Sequence, residues 1–342
     1  LSITTHERPG VYSDYDASTV ISTSGGGQTA GLVAVCAGGE AGTLYVINRY
    51  EEAVTAFGQE ENLTELARLL LLNGAAQVRA VPVTDESGYD AAFSLLAAEE
   101  NVALVVCDST DVTVQQKLRD SVCSASEARR ERIAVVCGGT EESVEDLVQR
   151  AGQLNSERVV LLAPGDDGCL LAAAVAGAIA GESDAALPLS GAELKGVSQT
   201  QAQYDDSEID TLVRGGVTPL ERVGGVVSVV RGITTRTKTG EVSDATWREL
   251  TTIRIVDDVI PTIRNALRAK FQRSKNTEQT RGAIRSQVIL ELENKLSREI
   301  ITGYENVTVQ ADAENPTVCL VEFSFTVAHG LNQIWLSAHI TV

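Results

Sequence analysis

From residue 29 to about residue 185 the chain repeats one alternation: a short apolar run, a longer helical segment, then another short apolar run. The runs Leu32–Cys36, Val78–Val83, Val102–Cys107, Ile133–Cys137 and Val159–Leu162 are four to six residues long and rich in β-branched side chains. Runs of that kind suit strands covered on both faces. Between them, Leu63–Leu72, Tyr89–Glu99, Val112–Ala128, Ser143–Leu154 and Leu170–Ala180 read as helices. Strands separated by helices have the long crossovers that parallel pairing needs, so this half implies an α/β layer with a mostly parallel sheet.

The pattern changes after Gly181–Gln203, a stretch richer in loop formers. Asp205–Arg214 follows as a helix with an acidic start and a Gly215-Gly216 stop, the arrangement that suits the helix dipole and its C-terminal end. Val217–Arg222 and Val226–Arg231 read as strands turned by Gly224-Gly225. Ile255–Phe271 and Thr277–Ile301 read as long helices, and Val307–Gln310, Val318–Val327 and Ile334–Val342 as strands. The fold class is therefore α/β plus α+β. The expected division is an arm and hinge over 1–28, an α/β domain over 29–190, an α+β domain over 191–332 and a terminal strand over 333–342.

The two ends raise a question of backbone hydrogen bonding. Residues 1–28 are polar and rich in Gly, Ser and Thr, with Val11, Tyr12, Val20 and Ile21 as apolar points and Gly25, Gly26 and Gly27 as a swivel. At the other end Ile334, Leu336, Ala338, Ile340 and Val342 alternate at period two, as in a strand buried on one face. Neither segment has a strand-forming neighbour nearby in sequence. Its N–H and C=O groups need partners somewhere, and an open strand edge is a template for another chain. The chain opens on Leu1 and has no Met, so the numbering is expected to begin inside the encoded chain.

Composition narrows the function. A net charge of −19 argues against a general nucleic-acid binder. Residues 231–300 nevertheless carry 14 Lys/Arg against 9 Asp/Glu. That excess is either a set of solvated helix faces or a basic surface for an acidic partner. Apolar stretches such as Leu170–Ala180 are too short to span a bilayer, and no secretory signal is visible. The six cysteines lack CxxC spacing, and Cys36, Cys107 and Cys137 sit in apolar runs. They are expected to stay reduced, which implies an intracellular place of assembly.

Sites for chemistry are scarce. The three histidines, His6, His329 and His339, lie near the termini with no triad-like neighbours. No phosphate-loop or dinucleotide fingerprint accompanies Gly38-Gly39 or Gly138-Gly139. Ala163-Pro164-Gly165-Asp166-Asp167-Gly168 can be a strand-to-helix turn with an acidic cap or an anion site, though two carboxylates oppose a phosphate there. Asp257-Asp258 can be a paired carboxylate site or the capped opening of a helix, with capping favoured. No cofactor and no metal are expected.

Several blocks, in order, carry a resemblance. They are Arg8-Pro9-Gly10-Val11-Tyr12; Ala163-Pro164-Gly165 with Ala172–Gly177; Gly215-Gly216-Val217 through Val229–Thr235; Ile253–Val259; and Ala338–Val342. Together they resemble the contractile tail sheath proteins of phages, phage-tail-like bacteriocins and contractile injection systems. Asp258 departs from the aromatic usual at that position. The resemblance implies no enzyme but a structural homo-oligomer of stacked hexameric rings around an inner tail tube, with baseplate and tail terminator partners, assembled in a bacterial host cytoplasm, binding no nucleic acid and inserting in no membrane. It also implies that Val11, Tyr12, Val20 and Ile21, and Ile334 through Val342, act as donor strands to other subunits. Arg264, Arg268, Lys270, Arg273, Lys275, Arg281 and Arg285 are then candidates to face the tube. The alternative is a nucleotide-binding α/β enzyme, with its ligand near Gly138-Gly139 or Asp166-Asp167.

Overall fold

The computed structural model describes residues 27–200 and 202–332. The expected arm positions Val11, Tyr12, Val20, Ile21, Gly25 and Gly26, the strand 334–342, and His6 and His339 lie outside the described residues. In the first half come β1 (Thr29–Val35), β2 (Tyr45–Ile47), α1 (Tyr50–Phe57), α2 (Asn62–Asn73), β3 (Gln77–Val83) and α3 (Tyr89–Ala98). They continue with β4 (Val102–Cys107), α4 (Val112–Glu127), β5 (Ile133–Cys137), α5 (Val144–Leu154), β6 (Val159–Ala163) and α6 (Leu170–Gly181). The second half holds β7 (Glu193–Leu194), α7 (Asp206–Arg214), β8 (Thr218–Val223), β9 (Val226–Val229), β10 (Lys238–Thr239) and β11 (Val242–Ser243). It ends with α8 (Leu250–Phe271), α9 (Glu278–Ser297), β12 (Ile301–Ala311) and β13 (Cys319–Val327).

One nine-stranded sheet, in the order β2-β3-β1-β4-β5-β6-β8-β9-β7, forms the body. Strands β3, β1, β4, β5, β6 and β8 are parallel; β2, β9 and β7 pair antiparallel at its flanks. Strands β7, β8 and β9 lie beyond residue 190, so the sheet draws on both sides of the expected boundary. One face buries α1, α2 and α6; the other buries α3, α4, α5 and α7. Both faces are covered, which is why the strands read as unbroken apolar runs. Helix α6 is built of small residues because it is wedged between the sheet and α2, buried nearly all round. At Gly177 an added Cβ would sit 2.6 Å from the Leu70 carbonyl oxygen, so only glycine permits the two helices to approach this closely.

The five principal strands and helices of the α/β half occur where the sequence placed them, with ends shifted by a few residues. The short elements β2, β7, β10 and β11 were not anticipated, since two or three residues carry no periodicity. Helix α1 was also missed: only Ala53 and Phe57 in it are buried. The expectation of reduced cysteines is corrected at one pair, Cys137 and Cys169, which form a disulfide joining the end of β5 to the start of α6. Cys36 and Cys107 are buried thiols, as expected.

Helix α8 starts at Leu250, five residues before the expected Ile255. Leu250 and Ile253 are drawn into the core of the sheet, and tertiary burial outweighs the weak helix preference of Thr251-Thr252. This corrects the reading of Asp257-Asp258 as a helix opening. The pair lies well inside α8, and its carboxylates serve different partners. Asp257 accepts two hydrogen bonds from Arg158, at 2.9 and 3.0 Å, tying α8 to the base of β6. Asp258 accepts from Lys295 Nζ at 2.6 Å, tying α8 to α9. The departure from the usual aromatic at 258 thus has a local partner. Helix α9 stops at Ser297, short of the expected Ile301, where Glu299 takes a left-handed backbone (φ 58) and Ile300 N–H bonds back to the Lys295 carbonyl. Ile301 opens β12 instead.

Two outcomes are expected in denaturant titrations of the isolated subunit. Gly177→Val forces α2 and α6 apart and lowers stability by about 1–3 kcal/mol. Asp258→Ala strands Lys295, whose side chain is only 7% exposed, and costs about 3 kcal/mol; Lys295→Met costs less, because Asp258 is 33% exposed and can hydrate. Equal losses from the two would contradict this account of the pair.

Candidate assembly site

Strands β12 and β13 form a separate two-stranded antiparallel sheet. It lies on α9 and shares a third core with α8: Ile255, Val259 and Ile263 meet Val288 and Leu292, with Ile300, Ile301 and Val307 behind them. Along β13 the alternation is strict. Cys319, Val321, Phe323, Phe325 and Val327 are half-buried, whereas Leu320, Glu322, Ser324 and Thr326 are exposed. Phe323 and Phe325, successive residues of the inward face, stack with ring centroids 6.3 Å apart. Strand β12 is less regular: its pairing shifts at Ile301/Gly303 and at Glu305/Thr308, and Asn306 between them has φ 56.

The edges of the two sheets differ. The nine-stranded sheet ends in β2 at one side and β7 at the other, three and two residues long. Very short edge strands are poor templates for further pairing. The small sheet has no such protection. Strands β12 and β13, 11 and nine residues long, each pair on one side, and their outer edges meet no strand among the described residues. One carbonyl of β12 is engaged by a side chain of α9: Arg285 Nε donates to the Val307 carbonyl at 2.9 Å.

The seven basic candidates separate into two sets. Arg264 pairs with Glu131 at 2.7 Å, Lys270 donates to Gln287, Arg281 donates to Asn276 Oδ1 at 3.0 Å, and Arg285 is bonded as above. Arg268, Arg273 and Lys275 are exposed at the tip where α8 turns into α9, with no ion-pair partner among the described residues. Asn276 Nδ2 donates to the Pro316 and Val318 carbonyls, which sets this basic tip beside the β12–β13 turn.

The block Gly232–Thr235 joins the body to α8. Thr234 and Thr235 are fully buried. Thr235 Oγ1 donates to the Ser156 carbonyl and accepts from its N–H, both at 3.0 Å, while Thr234 Oγ1 donates to the Trp247 carbonyl at 2.7 Å. Buried hydroxyls satisfied in this way hold loops in one arrangement. Arg231 pairs with Glu249 just before α8 begins.

At the turns named as alternative ligand sites, the protein's own groups bond and pack on one another. At Gly165 an added Cβ would lie 2.1 Å from the Gly139 carbonyl oxygen, so the two glycine-rich turns pack backbone to backbone. Asp166 Oδ2 accepts from Leu171 N–H at 2.8 Å, in the first turn of α6. At the switch in strand order between β1 and β4, Asp108 accepts from Val35 N–H at 2.9 Å and from the Tyr89 hydroxyl. Burial pushes the Asp108 carboxyl and the Tyr89 phenol up, and the Cys36 thiol up to about 11. His329 is exposed. Among the described residues no group of His, Cys, Asp and Glu could hold a metal ion, and no helix is long and apolar enough to cross a membrane.

The family comparisons agree with this geometry. The phage tail sheath protein central domain matches residues 85–235, and the phage tail sheath C-terminal domain matches residues 242–341. The tail sheath protein of Bacillus phage SP01 is 29% identical over 228 residues, covering 62% of this chain and 39% of that protein. The tail sheath protein of Mycobacterium phage Bxz1 is 24% identical over 306 residues, covering 80% and 51%. The chain thus spans about half the length, or less, of these relatives. Among solved structures, a chain of the anti-feeding prophage baseplate aligns with a TM-score of 0.74 at 16% identity, covering 99% of this chain and 100% of that one. The anti-feeding prophage helical sheath in its contracted state aligns at 0.72 and 17% identity, covering 98% and 99%. The crystal structure of the sheath tail protein from Desulfitobacterium hafniense aligns at 0.69 and 12% identity, covering 93% and 100%. At these identities the structural likeness speaks to fold. Two sheath-family domains, matched in order across most of the sequence, decide the wider question: this chain belongs to the phage tail sheath family.

Proposed function

We propose that this chain is a structural, non-enzymatic subunit of a contractile tail sheath, and that it polymerises as stacked hexameric rings around an inner tube by strand exchange. The observation that carries the reading is the contrast of edges: the large sheet is blunted on both sides, while the small sheet offers two long open ones. The terminal segment 334–342 is nine residues long with five apolar side chains at alternate positions. Strand β13 is also nine residues long with five inward side chains. A donor strand from a second copy would extend that inward face over α9, with the N-terminal arm of another copy at the remaining edge. This is β-augmentation used for assembly.

Magnitudes suit a mesh that survives motion. At about 1 kcal/mol net per backbone hydrogen bond, each inserted strand contributes several kcal/mol, and every subunit donates two. The arms keep neighbours tethered while the rigid bodies pass from a loose to a tight packing, a bistable interface of a kind that recurs in switching proteins. Residues 29–190 hold 25 Asp/Glu and 10 Lys/Arg, so the bodies repel one another at long range, subject to screening by salt. New body-to-body contacts then drive contraction without nucleotide hydrolysis. The exposed Arg268, Arg273 and Lys275 form a tip suited to an acidic tube surface. Baseplate and tail terminator proteins complete the partner set, and assembly takes place in the bacterial host cytoplasm.

Deletion of residues 334–342 is expected to leave a folded, soluble subunit that forms no tubes in negative-stain micrographs; long tubular sheaths from the truncated chain would exclude strand exchange as the link. The double charge reversal Arg268→Glu/Arg273→Glu is expected to leave sheath-to-sheath assembly intact but to reduce extended sheath bound to tube by about tenfold at low salt. Unchanged co-sedimentation with tube would remove the tip from the interface.

A further inference from the structure

The two ends of the described chain meet opposite ends of one short stretch, Gln28 at Ala180 and Gly330 at Pro188. At the N-terminal end, Gln28 N–H donates to the Ala180 carbonyl at 2.8 Å and the Gln28 carbonyl accepts from Ala76 N–H at 3.0 Å. Gly27 packs on the backbone of Gly74, which in turn lies against Gly181. At the C-terminal end, Ala328 N–H donates to the Ile300 carbonyl at 3.2 Å. Gly330 then packs on the ring of Pro188, where an added Cβ would meet the ring carbon at 2.8 Å. After α6 ends at Gly181, residues 182–188 of this stretch have no helix or strand. They are held by turns: Asp184 N–H bonds the Glu182 carboxylate at 3.0 Å, and Ala186 N–H bonds the Asp184 carboxylate at 2.9 Å.

One side chain spans this segment from the far side. Arg254 of α8 is 8% exposed. Its guanidinium donates to the Glu182 carbonyl at 3.0 Å and to the Leu187 carbonyl at 3.4 Å, so the same planar group contacts the segment near each arm root. Burial lowers the pKa of the Arg254 guanidinium, and the negative charges of Glu182, Asp184 and Asp258 offset that only in part. Three residues further along, Asp257 bonds α8 to Arg158 at the base of the sheet, and Asp258 bonds it to α9 beneath the β12–β13 sheet. A buried arginine with carbonyl partners is costly to desolvate and strongly directional, which fits a positioning device better than a generic stabiliser.

We propose that Arg254 is a clip that fixes the roots of the two arms relative to each other and to the strand-accepting sheet, so that a subunit donates and accepts strands in one geometry. The clip gives the Ile253–Val259 block a positioning role within the body: Arg254 sets the arm roots, Asp257 anchors α8 to the sheet, and Asp258 anchors it to α9. The proposal rests on the strand-exchange reading above.

The test uses the full-length chain carrying spin labels at exposed positions 28 and 331, introduced as non-natural amino acids because the chain has six cysteines. Doubly labelled chain is diluted into unlabelled chain and read by pulsed electron resonance. The natural protein is expected to give one narrow distance distribution. Arg254→Met, which keeps the stem and removes every donor, is expected to broaden it at least twofold. The same variant should raise the concentration needed for sheath assembly about tenfold, the scale of losing hydrogen bonds to a charged donor. Arg254→Lys keeps the charge without the planar fork and should broaden the distribution by less; it also serves as the readout should Arg254→Met fail to fold by circular dichroism. An unchanged distance width in a folded variant, or an unchanged assembly threshold, overturns the clip. Chain lacking 334–342 separates the two ideas: if it assembles normally the strand-exchange reading fails, whatever the label widths show.

Discussion

Helix α8 buries apolar residues in two cores at once. Leu250 and Ile253 close the core on one face of the nine-stranded sheet, and Ile255, Val259 and Ile263 close the core beneath the β12–β13 sheet. A helix that serves two cores sets the relation between them, because moving it opens both. Its polar residues strengthen that constraint: Asp257 to Arg158, Arg264 to Glu131, Asp258 to Lys295. Burial pushes the Asp257 carboxyl up against the pull of the Arg158 guanidinium, so desolvation offsets much of what this pair contributes to stability. What such pairs supply well is register, since few geometries satisfy both charges.

The glycine-rich turns at 138–139 and 163–168 resemble ligand loops in sequence, yet in space they pack on each other and on the Cys137–Cys169 bridge. At the β1/β4 switch Asp108 accepts hydrogen bonds from Val35 N–H and the Tyr89 hydroxyl. Among the described residues the long edge strands belong to the small sheet.

How much of this was legible beforehand depended on the range of the interactions. Strands such as Val102–Cys107 and Ile133–Cys137 were found residue for residue, because burial on both faces leaves an apolar run that no other local structure explains. Helix α8 was found but started late, and Asp257-Asp258 was misplaced with it. The pull on Leu250 and the partners Arg158 and Lys295 come from residues 37 to 99 positions away or from the packed core. The role of Arg254 had no sequence signal beyond its place in a family-like block, since its acceptors are backbone carbonyls, and any residue carries one.

The amino-acid order by itself determined the alternating α/β layer, the long C-terminal helices, the acidic balance with its basic stretch, and the family-like blocks in their order. Each is written in local periodicity or composition, where a side chain's neighbours in sequence decide the outcome. Only the tertiary structure decided which strands lie at the edges, which glycines are forced by close backbones, which carboxylates meet which cations, and that Arg254 reaches the carbonyls of Glu182 and Leu187. Those are contacts between residues far apart along the chain, and they take shape only when burial and hydrogen-bond satisfaction are settled together.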